Sequence, residues 1–142
     1  MDLRLNQVTV AVTDIEKSAA FYVGLGLVPI VVSDHYRRFV LPNGGATFSL
    51  HRTDDGVAST TTVYFESEDL DADCARLGAQ GYAFEHGPVD QPWLWREARL
   101  RDPDGNSVCL YHAGTNRLDP PWRVRTAAAA AALARVRRDG GG

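Results

Sequence analysis

The chain has 142 residues and a hydrophobic fraction of 44%, values typical of one compact globular domain. Its 18 acidic and 15 basic side chains give a formal net charge of −3, so the composition offers no basic excess for binding nucleic acid or an anionic membrane. The two cysteines are too few for a disulfide framework. Neither a signal peptide nor a membrane-spanning run of about 20 apolar residues is evident, and we therefore expect a cytoplasmic protein.

The first half of the chain predicts a strand, a helix and three further strands. Val8, Val10 and Val12 occur at every second position, which is typical of a strand with one buried face. Thr13 or Asp14 can cap a helix that runs from Asp14 to Leu25 and ends at the neighbouring glycines. Further strands are expected at 27–33, 36–41 and 46–51, with a turn at 42–45 before the last of them.

The second half repeats this order. Strands are expected at 61–66, 82–85, 96–101 and 107–111, and a helix at 69–80. The repeat predicts two βαβββ modules, at about 1–54 and 58–113, within one domain that covers residues 1–113. A loop at 87–95 contains proline and tryptophan and is longer than a hairpin needs, and such loops often carry function.

Residues 114–142 follow the repeat as a C-terminal extension. The alanine-rich run from Thr126 to Arg138 favours a helix by propensity alone, and it offers few side chains that could anchor it to a core. The extension is therefore expected to be either a frayed appendage or a helix that packs on a partner.

Alternation along the strands places polar and aromatic side chains on the face opposite the valines. Two similar modules create a cleft where they pack together, and this face would line it. Hydroxyl, imidazole, carboxylate and phenol groups suit the binding of an organic molecule by hydrogen bonds and stacking. The predicted ligand-binding residues are Gln7, Thr9, Thr47, Ser49, His51, Thr62, Tyr64, Glu66, Trp93, Trp95, Cys109 and Tyr111.

Two segments resemble the vicinal oxygen chelate superfamily, which includes glyoxalase I, fosfomycin resistance enzymes, extradiol dioxygenases and bleomycin resistance proteins. They are NQVTVAVTDIEKSAAFY at residues 6–22 and RDPDGN at residues 101–106. The resemblance implies an α+β fold in which two βαβββ modules form an open, curved, barrel-like sheet with helices outside. The segment from Pro92 to Glu97 is similar to the bleomycin resistance branch, where a Pro-Trp-Gly stretch precedes an Arg-Glu pair, but here Leu94 replaces that glycine.

Enzymes of this superfamily hold a divalent metal ion with side chains from four inward strand positions. The resemblance places those positions at Gln7, Ser49, Thr62 and Cys109, and of these residues only the glutamine is a ligand that the family uses there. Neutral hydroxyls are poor ligands for hard cations, and a single thiol does not complete a site. We therefore expect no metal ion and no other cofactor.

The leading hypothesis is a metal-free protein that sequesters an aromatic or natural-product ligand; it favours binding over catalysis and leaves open whether the protein is an enzyme. Trp93 and Trp95 would form a lid that stacks on the ligand, with Arg96 or Arg99 contacting its anionic groups. The alternative for the two tryptophans is packing that plugs the barrel or closes a dimer. A homodimer is implied by the resemblance, and neither nucleic acid nor a membrane is expected as a partner.

Three rival functions stay open at this point. The first is a metal-dependent lyase, isomerase or dioxygenase with the shifted ligands Gln7, His51 and Glu66, of which the last two are also a candidate acid/base pair. The second is a metal-free enzyme that uses Glu66, Glu97 or His51 as its base. The third is an interaction module that binds a partner through the alanine-rich extension.

Overall fold

A computed structural model describes residues 5–56 and 58–139 and confirms the expected α+β fold. The expected domain begins at residue 1 and the extension ends at residue 142, and both of these ends lie outside the described residues. The first half forms β1 (Gln7–Val12), α1 (Ile15–Gly24), β2 (Val28–Val32), β3 (Tyr36–Val40) and β4 (Thr47–Arg52). The second half forms β5 (Thr62–Glu66), α2 (Leu70–Ala79), β6 (Phe84–Asp90), β7 (Arg96–Arg101) and β8 (Ser107–His112).

The two halves form separate four-stranded sheets of the same topology. The N-terminal sheet has the strand order β1-β4-β3-β2, and the C-terminal sheet has the order β5-β8-β7-β6. In each sheet the first strand pairs in parallel with the last one, and the other neighbours are antiparallel. No strand pairing joins the two sheets within the described ranges, so they do not close into a barrel.

Acidic residues begin both module helices, as the sequence predicts. The Asp14 side chain accepts a hydrogen bond from the backbone N–H of Lys17 at 3.1 Å, and the Asp69 side chain accepts one from that of Ala72 at 3.4 Å. Each bond satisfies a donor of the first helical turn that has no partner within the helix. The caps therefore fix where the chain leaves a strand and turns back over the sheet.

The hydrophobic core lies between the modules, on the face of each sheet that carries the helices. Leu50 from the N-terminal sheet and Leu100 from the C-terminal sheet are fully buried in the same cluster. The rings of Phe48 and Phe65, one from each module, meet edge to face with 5.6 Å between their centroids. Full burial of such a side chain contributes roughly 1.5–3 kcal/mol, so this shared core is what holds the modules together.

Polar contacts from α1 reinforce the joint between the modules. The Tyr22 hydroxyl donates to Asp102 Oδ2 at 2.8 Å, and this bond is buried. From the other module, the Tyr82 hydroxyl donates to the backbone oxygen of Phe21 at 2.5 Å. Gly24 permits that approach, because a Cβ at this position would lie 2.1 Å from the Tyr82 hydroxyl oxygen.

Strand β6 is longer than the sequence predicts. Residues 87–90, which were expected to belong to a loop, continue β6 as far as Asp90, and the loop covers only residues 91–95. His86 also lies within this strand. Pro88 favours a loop because proline has no N–H for strand pairing. However, β6 is an edge strand with shifts of register between Phe84 and His86 and between His86 and Val89, and proline is tolerated at such irregular edges.

The C-terminal extension contains a short 3-10 helix, Gly114–Arg117, and the expected alanine-rich helix, α3 (Ala127–Asp139). No described residue of α3 belongs to either buried hydrophobic cluster. Instead, Asp119 accepts a hydrogen bond from Arg137 at 3.0 Å, which attaches α3 to the segment before it. Asp119 also accepts one from Arg125, within that segment, at 3.2 Å. Each helix in the described part of the chain is too short or too polar to cross a membrane.

Candidate ligand-binding faces

Each sheet has a second face, turned away from the shared core, on which polar and aromatic side chains lie. We call these the N-terminal and the C-terminal open face. In both, the side chains alternate with core residues, as expected for strands. The N-terminal open face comprises Gln7, Thr9, Tyr36, Arg38, Thr47, Ser49 and His51. The C-terminal open face comprises Thr62, Tyr64, Glu66, Glu97, Arg99, Ser107, Cys109 and Tyr111.

Strand register relates the two open faces residue by residue. Arg38 on β3 lies opposite Ser49 on β4, and Arg99 on β7 lies opposite Cys109 on β8. Ser49 and Cys109 are both fully buried. Each face therefore has an arginine at the same place in its sheet, beside a small buried residue.

On the N-terminal open face, Tyr36 is the centre of a hydrogen-bond network. Its hydroxyl lies 2.9 Å from Ser49 Oγ and accepts a bond from Arg38 Nε at 3.0 Å. The hydrogen bond with Ser49 lowers the pKa of Tyr36, and Arg38 adds to that shift. Nearby, Gln7 Oε1 accepts a bond from Thr47 Oγ1 at 2.7 Å. The side-chain oxygens of Tyr36 and Ser49, and those of Gln7 and Thr47, are thus engaged with one another.

On the C-terminal open face, the central group is Glu97, a carboxylate that is only 2% exposed. It accepts hydrogen bonds from Trp93 Nε1 at 2.7 Å and from Arg99 Nη2 at 3.2 Å. Arg99 also donates to the Tyr64 hydroxyl at 3.2 Å. Burial, with Glu97 as a second cause, raises the pKa of Cys109 to about 12, so this thiol stays protonated at neutral pH. The buried carboxylate is tolerated because it is both paired and hydrogen-bonded.

Three aromatic rings form a cluster on the C-terminal open face. Trp95 and Tyr111 stack with 4.6 Å between ring centroids, and Tyr64 meets them edge to face at 6.0 and 5.7 Å. Trp95 Nε1 also donates to the backbone oxygen of Asn116 at 3.3 Å, which ties the ring to the extension. This aromatic cluster, formed by Tyr64, Trp95 and Tyr111, is held from several sides, while Tyr64 remains 44% exposed.

The loop at 91–95 contains no glycine, but one of its residues has a backbone conformation that is typical of glycine. Leu94 has a φ of 67°, which lies in the left-handed region that side chains disfavour. The sequence resemblance implies glycine at this place, and here a leucine adopts the conformation instead. The neighbouring Trp93 and Trp95 are anchored to Glu97 and Tyr111, and these anchors hold the strained residue in place.

A cavity of about 410 Å³ lies between the two modules. Thr47, Tyr64 and Glu66 from the predicted ligand-binding set line it, together with apolar side chains that include Phe48 and Phe65. Sites for small organic molecules commonly have volumes of about 300–1,000 Å³. Because Tyr64 belongs both to the cavity and to the aromatic cluster, a molecule in this cavity would lie beside the rings.

The structure separates the candidate pair His51 and Glu66. His51 is exposed on the N-terminal open face, whereas Glu66 Oε2 accepts hydrogen bonds from the backbone of Ala113 at 2.7 Å and Gly114 at 2.9 Å. Arg117 also lies 3.9 Å from the Glu66 carboxylate. No hydrogen bond or ion pair joins His51 to Glu66 within residues 5–56 and 58–139. Glu66 therefore anchors the start of the extension.

Tyr36 and Arg38 are absent from the ligand-binding set that the sequence predicts. Alternation alone shows that one of the neighbours Arg37 and Arg38 lies on the open face, and the structure identifies which one. Arg37 is 5% exposed and pairs with a carboxylate of α1 at 2.5 Å, so Arg38 faces the open side. In the same way Arg96 pairs with a carboxylate of α2 at 3.0 Å, which leaves Arg99 on the open face.

The donors at the four superfamily metal positions do not fit a divalent cation. Gln7, Ser49 and Thr62 offer neutral oxygens that neighbouring side chains already bind, and the single thiol of Cys109 does not complete a site with them. A guanidinium lies opposite Ser49 and another opposite Cys109, and both would repel a cation. In the described part of the chain, no group of three or more His, Cys, Asp or Glu side chains is placed to hold a metal ion.

Comparison with protein families and solved structures gives a consistent result. A family model described as the Glyoxalase/Bleomycin resistance protein/Dioxygenase superfamily matches residues 4–110. A search of curated proteins found no match. A solved antibiotic-binding protein from Streptomyces sp. CB03234 is 28% identical, with a TM-score of 0.68 over 79% of this chain and 97% of its own.

Two further solved structures show the shared fold. A bleomycin-binding protein in complex with bleomycin is 20% identical, with a TM-score of 0.64 over 78% of this chain and 98% of its own. A lactoylglutathione lyase from Agrobacterium tumefaciens is also 20% identical, with a TM-score of 0.65 over 77% of this chain and 92% of its own. The same backbone thus serves a binding protein and an enzyme, and function must be argued from the side chains.

Proposed function

The chain belongs to the glyoxalase/bleomycin resistance protein/dioxygenase superfamily, and on that premise we propose that it binds and sequesters an aromatic small molecule without a metal ion. The observation that carries the proposal is the aromatic cluster of Tyr64, Trp95 and Tyr111 beside a cavity of about 410 Å³. Stacking and hydrogen bonds are sufficient to hold a flat organic molecule in such a place.

The ligand we propose is an aromatic natural product or a compound of similar shape. The similar Streptomyces protein binds an antibiotic, and the similar bleomycin-binding protein was solved with bleomycin. Those two activities support the same class of function here, since this chain has the same fold and Tyr64, one ring of the aromatic cluster, lines its cavity. Trp93, which is 44% exposed, and Trp95 would cover the ligand from the loop at 91–95.

A homodimer is part of the proposal, and the edge strand β2 supports it. Its residues Val28, Ile30, Val31 and Val32 are between 36% and 67% exposed. An exposed apolar edge strand is unfavourable in water and is commonly covered by another chain. We also propose a cytoplasmic location, for which the support is that both cysteines are free.

Fluorescence titration tests the binding function. The two probes are neutral N-phenyl-1-naphthylamine and anionic 8-anilinonaphthalene-1-sulfonate, and we expect saturable binding of at least one of them. The variants Tyr64→Ala and Trp95→Ala should weaken that binding about tenfold, because each removes a stacking surface. Trp122→Ala, which removes an exposed indole of the extension, is the matched control and should leave it unchanged. Absence of saturable binding by both probes would contradict the proposed function.

Elemental analysis of protein purified without a metal-affinity tag tests the metal-free character against the metal-dependent lyase, isomerase or dioxygenase. We expect far less than one metal ion per chain. A stoichiometric metal ion that is lost in His51→Ala or Glu66→Ala would instead support the enzyme with shifted ligands. The lyase from Agrobacterium tumefaciens makes this comparison necessary, because its fold is the same.

Light scattering after size-exclusion chromatography tests the dimer. We expect twice the chain mass for the unaltered protein and a shift toward the monomer for Ile30→Lys, which places a charge on the apolar edge. Val136→Lys, at an exposed position of α3, is the control and should keep the mass of the dimer. Deletion of residues 115–142 then shows whether the extension contributes, and a monomeric unaltered protein would contradict this part of the proposal.

A further inference from the structure

We infer that the ligand site continues past Glu66 into a second cavity, and that this second cavity takes a neutral hydrocarbon arm of the ligand. The inference rests on the proposed binding function and adds to it the chemical class of the ligand. That class is an aromatic compound whose ring carries an alkyl chain.

The second cavity has a volume of about 200 Å³ and lies between the end of α1, helix α2 and the end of β5. We call it the arm cavity, and we call the cavity of about 410 Å³ beside Tyr64 the ring cavity. An engineered apolar cavity of about 150 Å³ in another protein holds benzene, so the arm cavity has room for a chain of about six carbons. The apolar side chains that line it are Leu25, Leu27, Leu41, Phe65, Leu77 and Leu110.

The first support is that the two cavities share part of their walls. Leu41 and Pro42, which precede β4, line both cavities, and so do Phe65 and Glu66 at the end of β5. One pair comes from each module, so both cavities lie along the same joint between the modules. A ligand whose ring lies beside Tyr64 therefore reaches the arm cavity with a substituent that passes these four residues.

The second support is the apolar surface that the arm cavity leaves uncovered. Leu25, Leu41 and Phe65 pack against the core but are only partly buried. Leu27 and Leu77, which are 4% and 1% exposed, belong to the core itself and back the cavity. A hydrocarbon chain that covers this surface removes apolar area from water, and this favours binding.

The third support is that the polar side chains of the arm cavity are already engaged. Asp73 Oδ2 accepts a hydrogen bond from Ser67 Oγ at 2.6 Å, and Arg76 Nη1 donates to Gln80 Oε1 at 3.4 Å. Glu66 accepts hydrogen bonds from two backbone N–H groups, at 2.7 and 2.9 Å. The apolar side chains therefore determine what the arm cavity binds, and they fit a chain without charge.

The experiment compares N-methyl-, N-hexyl- and N-decyl-1-naphthylamine by fluorescence titration. The three neutral probes share one ring system and one amine, and they differ only in chain length. We expect the hexyl probe to bind about tenfold more tightly than the methyl probe, or better, because each fully buried methylene contributes up to about fourfold. The decyl probe should gain less than about twofold beyond the hexyl probe, because about six carbons fill the arm cavity.

A substitution at Leu25 tests where the chain lies, because this residue lines the arm cavity and not the ring cavity. Leu25→Trp should fill the arm cavity, remove most of the gain of the hexyl probe and leave the affinity of the methyl probe unchanged. Val23→Trp is the matched control, since it places the same ring at an exposed position of α1 that lines neither cavity, and it should keep the full gain.

A second substitution keeps the test decisive if the larger ring disturbs the fold. Circular dichroism reports whether Leu25→Trp is folded. Leu25→Asn makes the wall of the arm cavity polar without adding volume, and it should reduce the gain of the hexyl probe about threefold or more.

The outcomes separate this inference from the proposed function. Equal affinity for the methyl and hexyl probes, or a gain that survives in both Leu25→Trp and Leu25→Asn, would overturn the inference and leave the binding function standing. A gain that continues evenly to the decyl probe would also overturn it, because a chain on open surface has no limiting length. Binding of N-phenyl-1-naphthylamine without binding of the alkyl series would have the same meaning. Lack of saturable binding by all of these probes would overturn the binding function, and the inference with it.

Discussion

The N-terminal and C-terminal sheets have the same strand order and register, but their open faces have different chemistry. At one pair of matching positions the first has Tyr36 and the second has Glu97. The phenol leaves Arg38 without a carboxylate, whereas Glu97 pairs with Arg99 and fixes Trp93. The repeated backbone therefore sets the positions of the side chains, and a single replacement decides whether the arginine of a face has a carboxylate partner.

The turns before the last strand of each module differ in a similar way. In the second module, Asp102 is 4% exposed and accepts hydrogen bonds from the Tyr22 hydroxyl at 2.8 Å and from Asn106 Nδ2 at 2.9 Å. The backbone N–H groups of Asp104 and Asn106 donate to it as well, both at 2.9 Å. The first module has Leu41 at the corresponding place, packed on the core. Only one of the two turns thus locks the modules to each other by polar contacts.

The largest effect should come from breaking the polar turn. Asp102→Ala removes the acceptor of four hydrogen bonds and leaves the buried Tyr22 hydroxyl without a partner, and we expect a loss of ~3 kcal/mol or more in the free energy of unfolding. Urea denaturation measures it. Asp102→Asn, which keeps one acceptor oxygen, should lose about half as much, and a loss below about 1 kcal/mol in the alanine variant would show that the turn does not lock the modules.

A matched pair of substitutions sharpens the difference between the open faces. Glu97→Gln removes the charge that pairs with Arg99, and we expect it to cost about 2 kcal/mol, whereas Tyr36→Phe removes one neutral hydroxyl and should cost about 1 kcal/mol. Urea denaturation compares the two variants. Tryptophan emission should shift in Glu97→Gln only, because Trp93 Nε1 donates to that carboxylate at 2.7 Å. Equal losses and unchanged emission would contradict the central role of Glu97.

The pH dependence of the free energy of unfolding tests how the buried thiol of Cys109 differs from Ser49, which occupies the matching position in the other sheet. Burial raises the pKa of Cys109 to about 12, whereas the thiol in the unfolded chain ionises near pH 8.5. The stabilisation is therefore complete below about pH 8.5 and is lost as the pH rises toward 12, by at most about 1.4 kcal/mol per pH unit. We expect Cys109→Ser, which copies Ser49, to show a shallower loss between about pH 9 and 10 in denaturation experiments. An unchanged slope would mean that the thiol does not titrate as its burial implies.

The smallest expected change in the free energy of unfolding comes from the exposed side chains of the two turns, Asp104 and Asn43. Asp104 accepts hydrogen bonds from the backbone N–H of Thr13 at 3.0 Å and from its hydroxyl at 2.6 Å, whereas Asn43 makes none with described residues. We expect Asp104→Ala to lower the unfolding free energy by about 1 kcal/mol and Asn43→Ala to change it by less than about 0.5 kcal/mol. Thermal denaturation followed by circular dichroism compares the variants, and equal effects would show that the contact between Asp104 and Thr13 is not stabilising.

Local signals were sufficient for most of the fold. The alternating valines of β1, the acidic helix starts and the repeated turn predicted the strands, helices and modules within a few residues of their observed bounds. The failure was β6, where Pro88 indicated a loop. Whether a proline ends a strand depends on whether that strand lies at the edge or in the middle of its sheet. The residues around Pro88 do not reveal that β6 is an edge strand.

The side chains that share one face of a strand follow from the order of residues alone, because the two-residue period of a strand is a property of the local backbone. The folded structure was needed to show that Arg38 and not Arg37 faces the open side, that Glu97 holds Trp93, and that Glu66 binds the start of the extension. These pairings depend on register and packing between segments far apart in sequence, where shifting a strand by one residue would exchange its two faces.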